Sequence, residues 1–255
     1  MQRLVLFCLL VLSATSSMAA WKIDAHSRKA EFPHEARFIE ISFLNGSKVA
    51  QAHVFIFPQK YYRFAMVDNP TKDLSLDAAM LASGAIAGVN GGYFQTDFSP
   101  MGLRISEGKM LNSILRAKLL SGILVASTSG KPEIIPSTAF SSESNLKTAI
   151  QCGPNIMRAG KPVAGLNAVR PARRTIVATD GKGLWALIIL SPVTLADSAE
   201  MLALPNVLGN TSIMTALNLD GGSSTSMWVK TSPTPFYLPS YATVRDYLTV
   251  LPIGH

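Results

Sequence analysis

The chain has 255 residues, 48% of them apolar and only 15% charged, with a formal charge of +7 at pH 7. That is enough apolar material for one large core, and with no block of like charges anywhere it excludes a long disordered tail. The lysines and arginines are scattered, which argues against nucleic acid as a partner; the mild positive excess suits an anionic substrate such as a phosphodiester, and is equally a solubility feature.

Residues 1–19 read as an export signal: Arg3, an apolar run over 4–12, then small residues ending in Ser17-Met18-Ala19. The run is far shorter than the roughly 20 residues of a spanning helix, so no stable membrane insertion is expected after signal cleavage. Residues 20–255 are the expected mature protein, a single domain that is periplasmic or secreted. With Cys8 inside the signal, Cys152 is the lone thiol of that domain, and a cysteine before Gly153-Pro154 is more often a small buried side chain than a nucleophile.

The first predicted strands, 37–44 and 49–57, flank Asn45-Gly46, the strongest short-range hairpin signal. A strand at 62–67 and a helix at 75–83, stopped by Gly84, come next. An apolar strand at 85–89 then delivers the chain straight into Asn90-Gly91-Gly92-Tyr93-Phe94. Glu107-Gly108 reads as a hairpin turn between 102–105 and 109–111, and 119–126 as a core strand. Strands at 174–179 and 184–190 surround Asp180-Gly181-Lys182-Gly183, which makes Asp180 a turn residue. Thr194, three residues before Asp197, caps a helix that reaches about residue 204. A short buried strand at 216–219 ends in Asp220-Gly221-Gly222-Ser223-Ser224. The expected fold is α+β (mixed α/β), with a mixed, hairpin-rich β-sheet and few helices.

Two loops share one design: a buried apolar strand, a short polar side chain, then Gly-Gly, at Val89-Asn90-Gly91-Gly92 and Leu219-Asp220-Gly221-Gly222. Each alone is an ordinary tight turn. Together, one of them followed by three hydroxyls, they point to a shared site in which bare backbone N–H groups face a ligand and Ser223, Ser224 and Thr225 add donors.

Nucleotide loops of the Gly-x-x-x-x-Gly-Lys and Gly-x-Gly-x-x-Gly types are absent, as is Gly-x-Ser-x-Gly. His26, His34, His53 and His255 fall at no metal-ligand spacing, so no metal or other cofactor is expected. Carboxylates, arginines and amides remain, the inventory of glycosidic or phosphodiester cleavage. Arg104, Arg116, Arg170, Arg173 and Arg174 are candidate phosphate contacts.

Asn90-Gly91-Gly92-Tyr93-Phe94, Gly102 with Glu107-Gly108-Lys109, Gln151-Cys152-Gly153-Pro154, Arg174-Thr175-Ile176 and Asn218-Leu219-Asp220-Gly221-Gly222-Ser223-Ser224 come in the order found in the phosphodiester glycosidase domain family, which the chain resembles over about 85–230. The resemblance implies hydrolysis of a sugar-1-phosphodiester, with a phosphorylated sugar or glycan as partner. Carried onto this chain, it makes Asp220 the nucleophile or general acid/base, Arg174 and Arg104 the cations on the leaving phosphate, and Asn90 a ligand of a sugar hydroxyl or phosphate oxygen. Gly91, Gly92, Gln151, Gly221, Gly222, Ser223 and Ser224 are the other expected substrate contacts. The second carboxylate is expected at Glu107, Asp97 or Asp180. A non-catalytic envelope protein that binds phosphorylated glycans is the alternative, and an esterase or peptidase with Ser223, Ser224 or Cys152 as nucleophile another.

Overall fold

A computed structural model describes residues 20–127, 131–141 and 145–254. The export signal expected at 1–19 lies outside the described residues. The chain opens with a meander, β1 (Lys22–Glu31), β2 (Arg37–Asn45) and β3 (Lys48–Pro58), whose second turn is the Asn45-Gly46 pair. β4 (Tyr62–Asp68), α1 (Leu76–Ser83) and β5 (Ala87–Asn90) follow. A middle block contains β6 (Arg104–Ser106), β7 (Lys109–Asn112), β8 (Gly122–Ser127), β9 (Pro132–Pro136) and β10 (Leu146–Cys152). Then come β11 (Asn155–Arg158), β12 (Lys161–Pro162), β13 (Ala172–Thr179), β14 (Leu184–Val193), α2 (Leu195–Leu202) and β15 (Thr215–Asn218). The chain closes with β16 (Met227–Val229), β17 (Phe236–Leu238) and β18 (Asp246–Pro252).

Strands take up 48% of the chain and helix 10%, so the fold is α+β but strand-dominated. The expectation of one mixed sheet is corrected. The described residues form three sheets, ordered β1-β2-β3-β14-β13-β15-β11-β12, β7-β6-β10-β8-β9 and β17-β16-β5-β18-β4. Among the described residues every paired ladder is antiparallel. Seven of the fifteen ladders join consecutive strands through short connections, which enforce antiparallel pairing, whereas parallel neighbours need long crossovers and the described residues hold two short α-helices.

The helix signals act as written. Gly84 closes α1 in the left-handed conformation at φ 70°, with its N–H bonded back into the last turn. At α2, Thr194 Oγ1 accepts from Asp197 N at 3.0 Å while Asp197 Oδ2 accepts from Thr194 N at 3.1 Å, a reciprocal capping box.

Strand periodicity divides the core. On β13, Ile176 and Ala178 face α2 and its residues Ala199, Met201 and Leu202, while Val177 faces the other way. That other face packs Val177, Leu187 and Ile189 against Val89, Met227, Leu248 and Val250 of the β5 sheet, with Leu124 and Ile150 from the middle sheet. Helix α1 covers the far side of the β5 sheet through Ala79 and Met80. Two sheets thus meet face to face, and the strands that end side by side at one edge of this contact are β5 and β15, the carriers of the two glycine loops. None of the described helices is long and apolar enough to cross a membrane.

Leu187 is fully buried on β14, between β3 and β13. Leu187→Ala is expected to lower unfolding stability by about 2–5 kcal/mol, against under about 0.5 kcal/mol for half-exposed Met110→Ala, as read from urea denaturation.

Candidate active site

The loops after β5 and β15 are bonded to each other. Asp220 N donates to Gly91 O at 3.1 Å, and the Asn90 side-chain amide donates to Asp220 O at 2.7 Å. Asn90 is wholly buried, and its Oδ1 accepts from Thr175 Oγ1 at 2.6 Å and Ser226 N at 3.1 Å. The amide expected to touch substrate is instead a rivet that fixes where the Asp220 loop leaves its strand.

Gly91 and Gly92 also differ from expectation. Their N–H groups donate to Asp246 O at 2.8 Å and Asp246 Oδ1 at 2.9 Å, so neither faces a ligand. Glycine is required here by close approach: a Cβ on Gly91 would lie 1.7 Å from Asp246 Oδ1, and one on Gly92 1.8 Å from an Arg104 terminal nitrogen.

Arg104 accounts for that crowding. It is fully buried, and Nε donates to Asp246 Oδ2 at 3.0 Å. Its Nη1 donates to Leu103 O and Gln151 O at 2.9 and 2.8 Å, and its Nη2 to Tyr93 O at 3.1 Å. A guanidinium enclosed in this way neutralises Asp246, not a leaving phosphate. Gln151 is consumed likewise: Oε1 accepts from Leu103 N and Leu115 N, and Nε2 donates to Leu115 O and Leu120 O. Arg104 and Gln151 therefore spend these groups on holding the Tyr93 loop.

The three proposed partner carboxylates lie elsewhere. Glu107 sits in the β6–β7 turn, exposed, in an ion pair with Arg63 at 3.6 Å. Arg63 pairs with Leu251, five positions along β18 from Asp246, or about 16 Å. Asp97 accepts from Ser99 N and Ser99 Oγ in an exposed turn. Asp180 accepts from Lys182 N and Leu184 N at the opposite end of β13, the turn role its sequence indicates. The carboxylate that does share the neighbourhood of Asp220 is Asp246, whose oxygens are taken by Gly92 and Arg104. Sequence reasoning missed it; the β-branched run after Asp246 could have revealed the strand, but nothing local reveals the ion pair.

Asp220 is only partly enclosed. Burial pushes its carboxyl above the usual aspartate range, Asp246 adds to this, and hydrogen bonds from Ser224 and the Gly221 N–H (2.8 Å) oppose it. Tyr93 donates its hydroxyl to Gly153 O at 2.7 Å and accepts from Asn218 Nδ2 at 3.0 Å, and burial raises its pKa, so it stays protonated. Asn218 Oδ1 is buried without a partner. Cys152 is fully buried, and burial pushes its thiol up to about 12, which leaves no thiolate to act as a nucleophile.

Two adjacent arginines sit on β13, the strand against which the Asp220 loop leaves β15. Arg174 is half-buried; its Nε donates to Val193 O at 2.9 Å and one Nη2 hydrogen to Arg170 O at 2.7 Å, leaving three N–H groups. Arg173 packs its backbone against Gly221, where a Cβ would come within 2.8 Å of Arg173 O. Its Nε donates to Gly222 O at 3.2 Å, its guanidinium lies 4.1 Å above the ring of Tyr241, and its buried Nη2 has no partner. The Tyr241 and Ala242 N–H groups donate to Ser223 O at 2.7 and 3.2 Å, tying that aromatic to the Asp220 loop. Arg173 is one of the candidate phosphate contacts expected from the sequence, whereas nothing in the motifs singles out Tyr241, which Arg173 brings to this loop. No cluster of three or more His, Cys, Asp or Glu side chains that could hold a metal occurs among the described residues.

The Asp220 loop thus joins a partly enclosed carboxylate to hydroxyl donors and lies against the strand that carries Arg173 and Arg174. The fold has solved counterparts. The zebrafish N-acetylglucosamine-1-phosphodiester alpha-N-acetylglucosaminidase catalytic domain, auto-inhibited by its pro-peptide, superposes with a TM-score of 0.63 at 16% identity, over 91% of this chain and 88% of that one. A protein from Synechocystis gives 0.55 at 13%, over 91% and 68%, and an exported protein from Burkholderia pseudomallei 0.51 at 14%, over 88% and 76%. No curated protein matches the chain significantly in sequence. Residues 83–250 match the phosphodiester glycosidase family, and the chain belongs to it, a family of glycosidase-type hydrolases acting on phosphodiester sugar linkages.

Removing one partner of the Arg104–Asp246 pair strands a buried charge. Asp246→Ala is expected to cost about 3–5 kcal/mol in urea unfolding, and the double variant Arg104→Met with Asp246→Leu to recover much of that loss.

Proposed function

We propose that the protein is an exported hydrolase of a sugar-1-phosphodiester in an envelope or extracellular glycan. Asp220 acts, ionised, at the anomeric carbon as nucleophile or as base for water, and Arg173 and Arg174 neutralise the phosphate as it departs. The observation that carries this is the setting of Asp220: a partly enclosed carboxylate raised by burial, on a loop that Arg173 holds through Gly222 O and that lies against the strand carrying Arg174, whose guanidinium keeps unused N–H groups. A phosphate monoester is a weak base and leaves with little protonation, so one accessible carboxylate suffices. Ser223 and Ser224 are the hydroxyls nearest the phosphate, and Tyr241 offers the sugar an exposed aromatic face. The zebrafish relative acts on an N-acetylglucosamine-1-phosphodiester, which makes that sugar the first to try. Export rests on the signal-like residues 1–19.

Asp220→Asn is expected to abolish sugar release from N-acetylglucosamine-1-phosphodiesters, a drop of at least 1000-fold in kcat/KM, while Kd for the diester stays within about threefold. Tight binding without turnover in either protein identifies a glycan-binding module instead. For the wild type, kcat/KM should rise with pH through a pKa above the ordinary aspartate range; a fall across that window makes Asp220 an acid.

The same burial shapes stability. The folded-state pKa of Asp220 is raised, so ionising it opposes folding, and its contribution, present at low pH, is lost as pH rises through the folded pKa. Asp220→Asn should therefore be more stable than wild type at pH 7, with the difference in Tm closing below the usual carboxylate range.

A further inference from the structure

A cavity of about 550 Å³, the size of a small-molecule site, lies beside the Asp220 loop and plays no part in the reading above. Its walls come from Leu119, Pro154, Val163, Ala164 and Leu166, with Lys118 and Arg158 as its charged members. We propose that it receives an apolar alcohol portion of the substrate, the group esterified to the phosphate on the side away from the sugar. This rests on Asp220 as the hydrolytic carboxylate.

Position comes first. β11 lies next to β15, the strand that ends at Asn218 and leads to Asp220. Gly153 O accepts from Tyr93 and Asn218, while the next residue, Pro154, lines the cavity and accepts from Asn218 N at 3.1 Å. On the other flank the wall 163–167 runs on to Arg170, whose carbonyl holds the Arg174 guanidinium at 2.7 Å. The cavity therefore adjoins β15 where that strand leads to Asp220, and its 163–167 wall leads to the residue that holds Arg174. A cavity of about 530 Å³ beside Asp180 lies at the far end of β13 and has no such connection.

Chemistry comes second. No acidic residue lines the cavity, so Lys118 and Arg158 favour a ligand that carries negative charge at one end. Part of the polar lining is already engaged: Asn155 Nδ2 donates to Ser121 O and Ser121 Oγ, and Asn167 Oδ1 accepts from Val169 N and Arg170 N. The walls formed by Leu119, Pro154, Val163, Ala164 and Leu166 offer a second sugar's hydroxyls no partners in exchange for water. An alkyl, prenyl or aryl group gains by leaving water, and Leu119, half exposed at 48%, is covered in the process.

The test uses methyl, butyl and hexyl phosphate as probes in calorimetric titrations of the mature protein, and N-acetylglucosamine-1-phosphodiesters of the same alcohols as substrates. Affinity should rise about three- to fourfold per methylene while the chain is being buried, and KM should fall in parallel. Ala164 is exposed on the cavity wall, so Ala164→Trp fills the space without touching the core, and it should reduce the hexyl-to-methyl ratio below twofold at unchanged Tm. Equal affinity for the three phosphates, or a ratio that survives Ala164→Trp, overturns the assignment. Hydrolysis of all diesters with one KM overturns it too and leaves the hydrolytic reading standing. Chain-length-dependent binding that Ala164→Trp abolishes, without turnover of any diester, supports the cavity and sinks the hydrolytic reading.

Discussion

The site depends on one buried ion pair. Arg104 and Asp246, 142 residues apart, meet at 3.0 Å with both side chains essentially inaccessible. A guanidinium out of water needs its charge balanced and its N–H groups bonded, and Arg104 places four of its five N–H groups on Asp246 and three carbonyls. Asp246 in turn holds the Gly91 and Gly92 N–H groups, so the ion pair ties the middle sheet, the β5 sheet and the first glycine loop together. Its value is positional, since a well-packed apolar pair of similar volume is often as stable.

From that anchor the geometry propagates through hydrogen bonds. Gly91 O and the Asn90 amide hold the backbone of Asp220, Thr175 holds Asn90, and Asn218 holds Tyr93 and Gly153. The polar groups consumed in this frame and those left for a ligand are distinct sets. Asn90, Arg104, Gln151 and Asp246 lie inside, whereas Asp220, Arg173, Arg174, Ser223 and Tyr241 keep some access to solvent. A family motif collects both kinds of residue, because loss of either removes the site; the structure separates them.

Membership of the phosphodiester glycosidase family agrees with this division. At 16% identity the zebrafish domain shares the fold, and the surroundings of the reacting atoms must be argued from this chain's own residues. Here they include a carboxylate whose ionisation burial opposes and two arginines of β13, one bonded to the second glycine loop at Gly222 O and the other to Arg170 O.

By itself the sequence determined the local structure. The Asn45-Gly46 and Asp180-Gly181 turns, Gly84 at the end of α1, the Thr194–Asp197 capping box and the two strand-to-glycine loops are all where their residues place them, because a turn or cap is decided by groups a few positions apart. Order of motifs also sufficed for the family. Short strands without a flanking turn pair went unread, β10, β16 and β18 among them, since a three- to seven-residue apolar run is set by its neighbours in the sheet. Only the tertiary structure decided that the single mixed sheet is three antiparallel ones, that Glu107 faces Arg63, and that Arg104 spends its charge on Asp246. Which arginine is buried and which faces a phosphate depends on the partners that distant strands bring to it, and spacing along the chain carries no record of that.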